Sequence, residues 1–104
     1  MADLGAIQAA FRQGDFRFTV HAAQELTADD ISVADAIGAI LSREAEVIED
    51  YPADVRGPCC LVSGTIEGGE YIHLVVSYPP RPALITGYRP DPDKWIDFRT
   101  RRPK

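Results

Sequence analysis

The sequence predicts an α+β fold in which N-terminal helices pack on a four-stranded antiparallel sheet. Three observations carry this. Helical periodicity is confined to the part of the chain before Ser42. Runs rich in β-branched residues fill the stretch from Glu44 to Tyr88. Gly68-Gly69 and Pro79-Pro80-Arg81-Pro82 cut that stretch where a meander needs its turns. Helices first and sheet second is the order of an α+β chain.

Taken in order, Leu4, Ile7, Ala10 and Phe11 recur at helical spacing, with Asp3 to cap the helix and Gly14 to end it. Asp15 to Val20 alternates apolar and polar residues, as a short extended segment does. Thr19 can cap a second helix, about His21 to Ala28. Ser32 opens the clearest helix: Ser32 and Asp35 follow the capping-box logic, and Val33, Ile37, Ile40 and Leu41 share one face. That helix should end near Ser42. The four strands are expected over Glu44 to Tyr51, Cys59 to Ile66, Glu70 to Ser77 and Ala83 to Tyr88. Pro52 stops the first of them. Gly68-Gly69 can take the positive φ values of a tight hairpin, which makes the second and third strands antiparallel. On the third strand Ile72, Leu74 and Val76 form the core face, so His73 points the other way.

At 104 residues the chain is read as one domain, because a second would leave too little core for either half. Its 45% hydrophobic and 26% charged composition is that of an ordinary globular protein. No apolar run approaches the roughly 18 residues that span a bilayer. The N-terminus has no basic region of a secretory signal, so a cytoplasmic location is expected. Cys59 and Cys60 are adjacent, which suits neither a disulfide with each other nor a zinc site, and they read as small packing residues. The net charge of −5 is uneven: residues 1–93 hold six arginines and no lysine against fifteen acids, whereas residues 94–104 hold five bases against Asp97. An acidic body repels nucleic acid, while a basic end can contact phosphate. A charged terminus of this kind is ordinarily a solvated tail.

The chemistry-bearing residues are few. His21 opens a helix and His73 lies mid-strand, and imidazole is the natural acid or base near neutral pH. His21 and Glu25 share a helix face, and with His73 they have the donor types of a metal site. Nothing in the sequence makes the three converge, and no metal or cofactor is expected. Thr86 and Tyr88 share a strand face, but the register that would set them beside His73 is not legible. Tyr88-Arg89-Pro90-Asp91-Pro92-Asp93-Lys94-Trp95 is the most distinctive string, a proline-stiffened turn that Trp95 should anchor to the body. Downstream, Arg99, Arg101 and Arg102 are guanidinium groups suited to phosphate oxygens.

These strings, from Phe18-Thr19-Val20-His21-Ala22 through Ile31 to Ile37, Ile48 to Pro52, His73 to Val76 and Ile85 to Asp91 with Trp95, resemble in their order the bacterial domain of unknown function 4258. The resemblance runs over about residues 16–102. The family looks like a distant relative of small RNase toxins of the RelE and MqsR type. The resemblance therefore implies a RelE/barnase-like small toxin architecture and a metal-independent endoribonuclease encoded beside an antitoxin-like zinc-finger or helix-turn-helix protein. By position it implies His21, His73, Arg99 and Arg101 as site residues, and Tyr88 is taken with them as the fifth candidate. Many members carry arginine four and eight residues after the first histidine; here those positions are Glu25 and Asp29.

Two readings follow. In one, a histidine acts as acid or base and Arg99 and Arg101 hold the scissile phosphate of an RNA. In the other, the same fold is a non-catalytic interaction module that binds a partner protein through its acidic surface.

Overall fold

The protein is described here by a computed structural model covering residues 1–103. Helix α1 spans Leu4–Arg12 and buries Ile7, Ala10 and Phe11. Its cap is Asp3, whose Oδ1 accepts the Ala6 N–H at 3.1 Å. Strand β1 (Arg17–Phe18) follows, then helices α2 (Val20–Ala28) and α3 (Val33–Ile40). The Thr19 hydroxyl accepts the Ala22 N–H at 2.9 Å and donates to the Ile85 carbonyl at 3.0 Å, so the cap of α2 also ties it to the sheet. Ser32 accepts the Asp35 N–H at 3.0 Å and starts α3 as its sequence indicates. On α3 the buried face is Ala36, Ala39 and Ile40 rather than one led by Val33, which is 48% exposed. Alanines win that face because α3 lies too close to the sheet for larger side chains.

Strands β2 (Glu46–Tyr51), β3 (Cys59–Thr65), β4 (Tyr71–Ser77) and β5 (Ala83–Tyr88) form the expected antiparallel meander. Gly68 and Gly69 turn β3 into β4 at φ 89° and 81°. The sheet is nevertheless mixed and five-stranded, in the order β1-β5-β4-β3-β2, not four-stranded and antiparallel. The fifth strand is β1, which pairs parallel with β5 through Arg17↔Ala83 and Phe18↔Leu84. Two residues are too short to declare a partner by pattern. Their pairing exists only because α2 carries the chain back along β5.

The helices cover one face of the sheet, where Cys60, Val62, Ile72, Leu74, Val76 and Leu84 are buried against Leu26, Ala36, Ala39 and Ile40. Two glycines permit this approach. A Cβ at Gly64 would lie 2.0 Å from the Ala39 carbonyl oxygen, and one at Gly87 would lie 2.7 Å from Leu26 Cδ2. Both cysteines are buried and free, in keeping with a packing role.

The basic end is not a solvated tail. It forms a hairpin of β6 (Trp95–Ile96) and β7 (Thr100–Arg101) that folds back onto the other face of the sheet. Trp95 is the anchor and is 4% exposed. No helix of the described residues is long and apolar enough to cross a membrane.

Candidate functional site

The site is built on the sheet face that the helices leave uncovered. Antiparallel partners place their side chains on the same face. The registers Glu46↔Ser63, Ser63↔His73 and His73↔Tyr88 therefore align four polar side chains in one row across β2, β3, β4 and β5. His73 lies at the centre of the row and is 0% exposed. Trp95 meets its ring edge-on at a centroid distance of 4.4 Å, and Tyr88 does so at 5.4 Å.

Two contacts fix the state of His73. Its Nε2 lies 2.6 Å from the Phe98 carbonyl oxygen, which can only accept, so the neutral ring carries its proton there. That leaves Nδ1 as an acceptor facing the Tyr88 hydroxyl at 3.4 Å. Desolvation pulls the imidazole below its ordinary value, partly opposed by the Phe98 carbonyl and the nearby Glu49 carboxylate. Burial pushes the Tyr88 phenol up to about 12, so it stays a protonated hydrogen-bond donor at neutral pH.

Charges ring this centre. Arg101 donates to Glu49 from Nε at 2.7 Å and from Nη2 at 3.1 Å, while its guanidinium carbon lies 4.6 Å from the Trp95 ring centroid. Burial would raise Glu49, but hydrogen bonds from Arg101 and Tyr51 outweigh it and hold the carboxyl below its ordinary value. Arg99 grips Glu46 in the same two-point way, at 2.6 and 2.7 Å. A cleft of about 440 Å³ opens between the end of β5 and the hairpin, lined by Tyr88, Arg89, Asp91, Lys94, Trp95 and Arg101. A neighbouring cleft shares Lys94 and Arg101 and adds Arg102. Neither Lys94 nor Arg102 is in an ion pair among the described residues. Tyr88, which is half-buried, thus stands between a neutral imidazole below and a basic cleft above.

The five residues expected to form the site divide accordingly. His73, Tyr88 and Arg101 come together, and Arg99, in the turn of the hairpin, lies along the same face against Glu46 of β2. His21 does not join them. It sits in the first turn of α2 with its side chain 62% exposed, 3.8 Å from Glu25, and α2 packs by Leu26 on the opposite face of the sheet. The described residues contain no group of three or more His, Cys, Asp or Glu side chains arranged to hold a metal ion, so His21, Glu25 and His73 do not converge. Asp29 accepts the Arg89 backbone N–H at 2.8 Å and closes α2 against β5.

Sequence reasoning missed Ser63, Glu46, Glu49, Lys94 and Phe98. Glu49 was visible only as part of the expected strand Glu44 to Tyr51, and Ser63 gave no signal at all. Phe98 contributes through its backbone carbonyl, which any residue would supply.

No curated protein and no solved structure matches the chain. The family comparison does match, with the domain of unknown function DUF4258 over residues 18–89, from β1 to the end of β5. That region holds α2, α3, the whole meander, His73 and Tyr88, and by it the chain belongs to the DUF4258 family.

Proposed function

We propose that the protein binds single-stranded RNA in the cleft above Tyr88 and acts as a toxin-like endoribonuclease. One observation carries this reading: the Tyr88 hydroxyl lies between the His73 Nδ1 acceptor and a cleft that presents Lys94 and Arg101. The cations suit a phosphodiester, and the pair beneath suits proton transfer. A ribose 2′-oxygen attacks the adjacent phosphorus while its proton passes to Tyr88 Oη, which hands its own proton to His73 Nδ1. The bond to the 5′-oxygen breaks, and that oxygen takes a proton from water in the open cleft. The products are a 2′,3′-cyclic phosphate and a free 5′-hydroxyl. Tyr88 touches the substrate, and His73 acts through Tyr88 as the positioning base.

The test is a purified-protein assay on labelled single-stranded RNA at low salt. Tyr88→Phe should lower cleavage by about 10²-fold, the usual worth of one positioned proton-transfer group. Lys94→Ala should weaken binding without abolishing the cut. Intact RNA after prolonged incubation with folded wild-type protein would sink the reading.

A second reading is favoured by a different observation. Arg99 and Arg101 are both occupied by Glu46 and Glu49, and His73 is fully covered, as suits a face that cuts nothing. The protein is then a non-catalytic module whose acidic surface binds a basic partner, in the antitoxin-like setting a zinc-finger or helix-turn-helix protein. Such a partner should be retained at low salt and released as salt rises past about 0.2 M, where charge-led contacts are screened. Salt-indifferent retention would count against it.

A further inference from the structure

We propose that the β6–β7 hairpin is a strap, which lifts from the sheet as a unit, uncovers the row Ser63, His73 and Tyr88 and takes Lys94, Trp95 and Arg101 of the cleft with it. The lifting does not depend on the RNA reading above.

The hairpin is held together by its own bonds. Trp95↔Arg101 and Ile96↔Thr100 form its ladder, the Arg99 N–H reaches the Ile96 carbonyl at 3.0 Å, and the Arg102 N–H reaches the Lys94 carbonyl at 2.8 Å. Among the described residues no backbone–backbone hydrogen bond joins it to the five-stranded sheet. Its attachment is side-chain work. Trp95 packs on His73, Phe98 stacks on Tyr71 at 5.4 Å, the Phe98 carbonyl takes the His73 proton, and two ion pairs run from exposed arginines to β2. Exposed ion pairs of this kind hold weakly.

Both flanks of the seam are open. One is the cleft above Tyr88, and the other is a groove of about 430 Å³ between the hairpin and Glu46, Val47 and Ile48 of β2. The closed position also has a cost. Beneath the hairpin, the Ser63 hydroxyl is buried with no hydrogen-bond partner, although it neighbours His73 across the β3–β4 ladder. Lifting the strap hydrates Ser63 and frees His73 Nε2. The matched family region ends at Arg89, before the strap begins.

The test uses the full chain and diethyl pyrocarbonate, which acylates accessible neutral imidazoles, with each histidine read by mass spectrometry. His21 is the internal exposed standard. In the double variant Arg99→Ala/Arg101→Ala, His73 acylation should rise about tenfold over wild type while His21 acylation stays constant, the effect expected of losing two exposed ion pairs. Trp95→Ala should raise it further. The proposal is overturned if His73 in both folded variants reacts as slowly as in wild type. It is equally overturned if His73 reacts only in step with exchange of the β3 and β4 amides, because that is global unfolding and not a strap. If His73 opens as expected in the variants and the wild-type protein leaves RNA intact, the strap stands and the ribonuclease reading falls.

Discussion

The Phe98 carbonyl oxygen lies 2.6 Å from His73 Nε2 and fixes the tautomer of a buried imidazole. Its consequence for stability has a definite sign. The folded-state pKa of His73 lies below the ordinary 6.5, chiefly through desolvation. The unfolded chain therefore takes up this proton first as the pH falls. The contribution of His73 is complete above about pH 6.5 and is lost progressively as the pH falls from there through the lower folded value. Urea unfolding at neutral pH and near pH 5 should show this loss in wild type and a smaller one in His73→Gln. The groups that face the ring, Tyr88, Glu49 and Arg101, are the same in both proteins and cancel in the comparison. Equal slopes would mean that the imidazole is not held neutral.

Asp50 makes the same argument at lower pH. Hydrogen bonding from the Tyr78 hydroxyl holds its carboxyl below the ordinary value, and its Oδ2 accepts the Ala2 N–H at 2.9 Å. Its stabilisation is present above the unfolded value near 3.8 and is lost as the pH falls through the folded one. Tyr78→Phe should cost about 1 kcal/mol at neutral pH and should cost less in acid, once Asp50 is protonated. A cost that does not vary with pH would show that Tyr78 acts by packing alone.

Gly64 is a position that no other residue fits. An added Cβ would meet the Ala39 carbonyl oxygen at 2.0 Å, and that atom belongs to helix backbone. Gly64→Ala should lower stability by about 3 kcal/mol, the upper range of overpacking costs, with the thermal midpoint falling accordingly. A near-neutral result would mean that α3 slides along the sheet without loss.

Asp29 accepts the Arg89 N–H at 2.8 Å while Arg89 Nε donates to the Asp29 carbonyl at 3.0 Å. Asp29→Arg should cost about 1–3 kcal/mol because it leaves the Arg89 amide unpaired. It should not improve RNA binding. Tighter RNA binding with unchanged stability would make this position part of the phosphate site and not a joint between α2 and β5.

The local elements were legible in the residues themselves. Asp3, Thr19 and Ser32 cap the three helices because each carries a side-chain acceptor next to a helical run, and caps act within one turn. Gly68-Gly69 makes its hairpin because positive φ is a property of the residue. Alternation along β4 placed Ile72, Leu74 and Val76 in the core and His73 on the other face, which the strand period settles without reference to the partner strand.

What only the tertiary structure decided is everything that depends on which strands meet. β1 joined the sheet in parallel because α2 carried it there, and two residues of sequence hold no record of that. The row Glu46, Ser63, His73 and Tyr88 exists through register, which is a relation between strands and not a property of any one of them. The basic residues after Asp93 looked free because charge counts are blind to geometry. Folding back sets Arg99 against Glu46 and Arg101 against Glu49, each pair more than fifty residues apart in the chain. His73 was visible as a residue, but its neutrality is a product of burial beneath Trp95, and its tautomer is set by a carbonyl that belongs to Phe98. Sequence sets the backbone's local choices, whereas burial and pairing arise between segments, and the chemistry of this face is made of burial and pairing.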